Sequence, residues 1–206
     1  MAGKVFFSVS MSLDGFIAPG SLGELMGRQW MELHQWIFPQ RFFRENLKLG
    51  EGGEEGRDND IVRETFERTG ASVMGKRMFD LGEQAWPEEA PFHTPVFVVT
   101  HEKRDPWERP GGTTFHFVND GIESALARAR TAAGGHDIRI GGGADLIQQY
   151  LNAGLVNEFT ISITPVILGE GTRLFDCIEF GQTGLEVIDT IPSLRVTHLR
   201  YAVGRE

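Results

Sequence analysis

The chain has 206 residues, 20 Lys and Arg against 29 Asp and Glu, a formal net charge of −9 and one cysteine. That length supports one domain with its own core, and 40% hydrophobic residues, 15 Phe among them, exclude a disordered chain. The acidic balance excludes a broad basic grip on nucleic acid or anionic lipid, no run approaches the ~20 apolar residues of a membrane span, and the lone Cys177 excludes a disulfide framework and favours the cytoplasm.

In chain order, β-rich residues over 4–10 predict a first strand, and Asp14-Gly15 predicts the turn that ends it. Trp30, Leu33, Ile37 and Phe38 fall on one helical face, which predicts a helix between Gly27 and Pro39. The Gly- and Glu-rich stretch 44–58 is too polar to order itself and is expected to be a flexible surface insertion. Asn59 or Asp60 is the expected N-cap of a helix through Ile61, Val62 and Phe66, closed by Gly70. Strands follow over 71–74, 95–100 and 113–118, then a helix over 122–133, a strand over 137–140, the triplet Gly141-Gly142-Gly143, and a helix over 144–152 ended by Gly154. Strands over 158–166, 185–191 and 194–203 complete the chain, the last two forming a hairpin about Pro192-Ser193.

This order implies a single α/β domain over 1–206, with helices on both faces of a mainly parallel central sheet and an antiparallel C-terminal hairpin. Ligands of such sheets sit beyond the carboxyl ends of the strands. The residues after Met74, Val99 and Ile140 occupy such ends and are expected to meet in one crevice.

A glycine triplet between a strand and a helix lets backbone N–H groups approach a pyrophosphate, although a tight strand-to-helix turn uses the same residues. It is not a Rossmann fingerprint, because Gly141-Gly142-Gly143-Ala144-Asp145-Leu146 lacks the last glycine and no acid stands about 20 positions on. Gly75-Lys76-Arg77 offers two cations after a strand, and Thr100-His101, with Lys103 and Arg104 nearby, offers a hydroxyl and further cations. Asp14 either relays a proton or holds the turn before Gly15. The six histidines show no metal-ligand spacing, and the signatures of a zinc deaminase are absent.

Ser-Leu-Asp-Gly-Phe-Ile-Ala at 12–18, Val-Met-Gly-Lys-Arg at 73–77, Val-Val-Thr at 98–100, Gly-Gly-Gly-Ala-Asp-Leu at 141–146 and Pro-Val-Ile-Leu-Gly-Glu-Gly-Thr-Arg-Leu-Phe at 165–175 stand in that order. Together they resemble the dihydrofolate reductase-like superfamily, in the branch containing the reductase domain of bacterial riboflavin biosynthesis, the RibD C-terminal domain. The resemblance implies a three-layer α/β/α fold that binds NADPH and passes a hydride to a small heterocyclic, pterin- or pyrimidine-like, or carbonyl substrate. A non-catalytic NADP-binding module of the same fold is the alternative. Carried onto this chain, the family's roles put Gly75, Lys76 and Arg77 at the adenosine phosphates and Thr100 and His101 near the 2′-phosphate. They put Gly141, Gly142, Gly143, Ala144, Asp145 and Leu146 at the pyrophosphate. Phe16, Ala18, Trp30, His34 and Glu170 are the expected substrate contacts, and Asp14 the expected catalytic carboxylate.

Two departures stand out: Met78 replaces the Thr that often follows the basic pair, and the first helix offers only Glu32 where dihydrofolate reductases place a pterin-binding acid. Arg28, Arg173 and Lys76 are the candidates for a substrate phosphate. This branch commonly dimerises, so a homodimer through the apolar C-terminal strands is expected.

Overall fold

The computed structural model describes residues 3–20, 27–179 and 184–204. Its strands are β1 (Val5–Ser12), β2 (Phe16–Ala18), β3 (Thr69–Gly75), β4 (Pro95–Val99), β5 (Trp107–Glu108), β6 (Thr114–Val118), β7 (Asp137–Gly142), β8 (Glu158–Thr164), β9 (Thr172–Arg173), β10 (Gly184–Pro192) and β11 (Thr197–Gly204). The helices are α1 (Arg28–His34), α2 (Arg41–Asn46), α3 (Arg57–Glu67), α4 (Lys76–Ala85), α5 (Ile122–Ala133) and α6 (Ala144–Asn152). Nine strands form one sheet in the order β10-β11-β8-β1-β7-β3-β4-β6-β5, and β2 pairs with β9 apart from it. From β8 to β6 every pair is parallel, whereas β11 on β8, β10 on β11 and β5 on β6 are antiparallel.

Side chains of a strand alternate between faces, so each central strand here carries two different messages. On one face Val5, Phe7, Val73, Ile138, Ile140 and Ile161 pack with Leu126 of α5 and Ile147, Tyr150 and Leu151 of α6. Full burial of such side chains contributes about 1.5–3 kcal/mol each. The Tyr150 hydroxyl, drawn into this layer, donates to the Ile122 carbonyl at 2.7 Å.

The opposite face is divided. Beneath α4 it is apolar again, with Met74, Val96, Val98 and Phe115 around Phe79. Beneath α1, α2 and α3 it is hydroxylated: Ser8 lies opposite Thr160, Ser10 opposite Ser162 and Ser12 opposite Thr164. His198, opposite Ser162 on β11, continues that row.

Several element boundaries differ from expectation. The first helix stops at His34, and the chain goes on in three-residue turns, Ile37 N–H to His34 and Gln40 N–H to Ile37, that drop Trp36 onto β1. There its indole N–H donates to Ser10 Oγ at 3.0 Å. The third helix begins at Arg57 after Gly56, which has φ +119, and neither Asn59 nor Asp60 caps it. Asn59 is buried inside the helix, where its side-chain carbonyl accepts from the Phe42 N–H and joins α2 to α3.

Gly70 belongs to β3; a Cβ there would lie 2.5 Å from His136 Cβ and 2.8 Å from the Ala133 carbonyl oxygen, so close packing requires the glycine. Within 44–58, α2 continues to Asn46 and α3 starts at Arg57, so only 47–56 is free of helix. Arg44 donates to the carbonyls of Gly52 and Leu49 across that excursion, and the Glu54 N–H donates to the Pro39 carbonyl at 2.7 Å. The final hairpin turns through Ser193 to Val196, closed by the Ser193 N–H on the Val196 carbonyl at 2.9 Å.

Candidate functional site

A cleft of about 740 Å³ opens beyond the carboxyl ends of β3, β4, β6 and β7. All eleven residues expected to hold a cofactor line it: Gly75, Lys76 and Arg77 after β3, Thr100 and His101 after β4, and Gly141 to Leu146 from β7 into α6. Asn119, Gly121 and Ile122, which follow β6, complete this end. Sequence reasoning missed them, although Asn-Asp-Gly between a strand and a helix is the same βα signal as the others.

The local geometry suits an anion. Gly143 is the N-cap of α6 and supplies no side-chain cap, so the first N–H groups of the helix keep their donor capacity. Gly142 has φ +107, a conformation that favours glycine, and the Gly142–Gly143 peptide is cis. A Cβ added at Gly143 would meet nothing within 4 Å, so open space lies directly above the turn.

The cations differ in availability. Lys76 is held by Asp80 at 2.5 Å and Glu102 at 3.4 Å, and these partners push its pKa up. Exposed Arg77 makes no ion pair among the described residues. Thr100 Oγ1 accepts from the Glu102 N–H at 3.0 Å, which leaves the hydroxyl proton to donate. Arg104, expected nearby, is turned to Glu83 and to the Phe117 ring and does not line the cleft.

At the other end the walls are side chains. Ile17 and Ala18 of β2, Trp30 and His34 of α1, Ile61, Val62, Thr65 and Phe66 of α3, and Ser8 and Ser10 of β1 surround the cavity, with Trp36 behind them. The Trp30 and His34 rings stack with centroids 4.2 Å apart, and His34 Nδ1–H donates to the Trp30 carbonyl at 2.9 Å. Burial pushes the His34 pKa below its usual 6.5, so the ring is neutral at pH 7 with Nε2 left as an acceptor. The lining carboxylates among the described residues are Glu102 and Asp145, both at the glycine-rich end.

Three expected site residues lie outside the lining, each for a physical reason. The Asp14 carboxylate accepts the N–H of Leu168 at 3.1 Å and of Gly169 at 2.7 Å, so it fastens the loop after β8. The Ser12 hydroxyl, aided by the Gly169 and Leu168 N–H groups, holds its pKa down to about 2, which makes it a poor proton donor at neutral pH. Phe16 is buried with Leu33 and Leu168, and the Arg173 guanidinium lies 4.3 Å from its ring centroid; it packs α1 to that loop. Glu170 is exposed on the same loop and does not line the cavity. Glu32 is engaged by Arg28 at 2.9 Å on the outer surface of α1.

A second constellation is inert. Asp58 Oδ1 accepts from His198 Nε2–H at 3.1 Å, and His198 Nδ1 accepts the Ser162 hydroxyl at 2.8 Å. The order imitates a hydrolase triad, but Ser162 and His198 are fully buried and do not border the cleft, so no acyl group can reach the serine. Among the described residues no group of three His, Cys, Asp or Glu is placed to hold a metal, and no helix is long and apolar enough to cross a membrane.

A mainly parallel sheet whose carboxyl edge meets a glycine-lined helix N-terminus in one cleft defines a mixed α/β domain of the dihydrofolate reductase-like fold. The RibD C-terminal domain model matches residues 3–200, and the chain belongs to that family. Two relatives come from Bacillus subtilis (strain 168): uncharacterized protein YyaP is 35% identical over 109 residues, 50% of this chain and 57% of that protein. Uncharacterized protein YwjB is 37% identical over 59 residues, 29% of this chain and 33% of that protein. The matched stretches therefore span from a third to somewhat over half of these relatives' lengths.

A protein described as a riboflavin biosynthesis protein from Shewanella sp. PV-4 superposes over 100% of both chains, with a TM-score of 0.64 and 25% identity. Dihydrofolate reductase from Enterococcus faecalis, complexed with NADP(H), superposes over 98% of both chains at a TM-score of 0.57 and 15% identity. The deaminase/reductase of Thermotoga maritima matches 98% of this chain and 57% of its own at a TM-score of 0.60 and 14% identity. The last two likenesses are of fold.

Proposed function

We propose that this protein is an NADPH-dependent reductase of a small heterocyclic or carbonyl compound. The observation that carries the reading is the turn from β7 into α6, where open space above Gly143 and uncapped N–H groups form a cradle for a pyrophosphate. NADPH fits these residues: Gly141, Gly142, Gly143 and Ala144 would hold the pyrophosphate, while Arg77, Thr100 and His101 would receive the adenosine phosphates. When bound, the cofactor supplies the hydride.

The chain's own residues bind, orient and exclude water. Trp30, Phe66 and Val62 give the substrate end an apolar lining, and Ser8, Ser10, Thr65 and His34 give it hydrogen-bonding groups. His34 is the titratable group from α1 that lines this end and is the candidate to accept or relay a proton through Nε2. Asp14 has the structural role that its hydrogen bonds give it.

Because the described substrate end holds no carboxylate, a second reading is a nucleotide-binding module without turnover. We also propose a homodimer through the C-terminal edge, since the edge strand β10 exposes Leu185, Val187 and Ile188. Sedimentation at micromolar concentration should give twice the mass of 23.0 kDa. The deciding experiment is a paired titration with NADPH and NADH at fixed low salt, followed by a turnover screen of pteridines, pyrimidines and small carbonyl compounds. Preference for NADPH together with turnover supports the reductase; binding without turnover favours the module; no binding of either nucleotide ends both readings.

A further inference from the structure

Two arginines on the hydroxylated side of the sheet are treated differently. Arg68 is fully answered, with Nε on Asp137 at 2.7 Å and a terminal nitrogen on Glu158 at 2.7 Å. Arg139, in the middle of β7 between β1 and β3, has no such answer. Its Nε is shielded from solvent and has no hydrogen-bond partner, and among the described residues its guanidinium forms no ion pair. Its guanidinium lies over the Phe66 ring, 5.2 Å from Cζ to the centroid. Burial alone pushes its pKa down to about 10, so it remains charged at pH 7.

A guanidinium with a shielded Nε and no counter-charge among the described residues is more costly than a hydrophobic side chain of similar size, and arginine cannot escape by losing its proton at neutral pH. Arg139 lines the cleft beside Ser8, Ser10 and Thr65. The Ser8 hydroxyl has no partner among the described residues, and Ser10 Oγ accepts from Trp36, so its own proton remains to donate. Arg139 and Gly141 share a face of β7 two residues apart, roughly 7 Å along the strand.

We infer that Arg139 is the receptor for an anionic group of the substrate, a carboxylate or a phosphate, so the compound reduced is an acid. This specificity assignment rests on the reductase reading, but its test is independent of turnover. The full-length protein is titrated with benzoate, phenyl phosphate and neutral benzamide, with and without saturating NADPH. Wild type binds at least one anion at least tenfold more tightly than benzamide, and the preferred anion identifies the acid. Arg139→Met loses that preference tenfold or more, melts above wild type in the absence of ligand, and keeps its NADPH affinity within twofold. Arg139→Lys, which keeps the charge without the planar fork, is intermediate.

Equal anion affinity in wild type and Arg139→Met, or no distinction between anions and benzamide, overturns the assignment. A Met variant that melts below wild type also overturns it, because the guanidinium would then be partnered in the free protein. If wild type fails to bind NADPH but shows Arg139-dependent anion binding, the reductase reading falls and the anion receptor stands.

Discussion

At one end of the cleft main chain forms much of the lining: Gly75, Gly141, Gly142 and Gly143 bring backbone groups to the surface at the ends of two adjacent strands. At the other end it is side chain, supplied by β1, α1, α3 and the middle of β7. A backbone-built surface recognises what is common to many ligands, because every peptide presents the same N–H group. A side-chain-built surface can be chemically particular, and here it combines aromatic rings, hydroxyls and, in Arg139, a charge with no ion pair among the described residues. The first end suits a shared cofactor and the second a specific substrate.

The largest expected effect breaks the backbone end alone. Gly142→Asp forces a side chain into φ +107, where its Cβ meets Met78 Sδ at 3.3 Å, and adds a negative charge beside the cradle. Nucleotide affinity should fall at least a hundredfold in a calorimetric titration, with a stability loss of about 1–3 kcal/mol. Wild-type affinity in this variant would remove the triplet from the binding surface.

Gly143→Ala sharpens the same point with less disturbance. Its φ is −74 and its Cβ meets no atom, so the melting temperature should stay within a degree or two while nucleotide affinity drops about tenfold. A loss of stability with unchanged affinity would mean that the open space serves the fold. Arg77→Ala should weaken NADPH by about tenfold, or about 1.4 kcal/mol, and NADH by less. Equal losses would assign Arg77 to phosphates common to both cofactors.

The smallest effect belongs to pH and to the side-chain layers. Burial depresses the pKa values of His34, His116 and His198 below 6.5, so the unfolded chain binds more protons than the folded one just below that pH. Their contribution to stability is complete above about pH 6.5 and declines as pH falls toward 5. Asp14, held near 2 against an ordinary 3.8, keeps its contribution until the pH falls below about 4. Melting temperatures across pH 4.5–8 should therefore be flat above 7 and decline below 6.5. A rise on acidification would contradict these burials.

The backbone end was legible in the sequence because glycine at a strand end has a local meaning. Gly75, Gly141, Gly142 and Gly143 take their places at the strand ends lining the cleft, and the helices over 122–133 and 144–152 have those very limits in the structure. The side-chain end was not, since Ser8, Thr65 and Arg139 meet only after β1, α3 and β7 have paired or packed across 131 positions of chain. Arg139 gave a local hint: a charged residue inside Asp137-Ile138-Arg139-Ile140 occupies a central strand of the sheet. Asp14 and Phe16 are engaged by the loop after β8, a partnership that no local pattern shows. The isolated bridge between Gln40 and Glu54, and the short β2–β9 pair, depend on partners that no local pattern names.

The C-terminal hairpin grips α3 and the loop before it from behind: Arg195 holds Glu54 at 2.7 Å and 2.8 Å, Ser193 and His198 both meet Asp58, and Arg200 meets Glu64. The same helix presents Ile61, Val62, Thr65 and Phe66 to the cavity. The last strand, paired on both sides between β10 and β8, is accordingly a brace for that cavity wall as well as a member of the sheet. The position of the cavity wall thus depends on residues that do not themselves line the cavity.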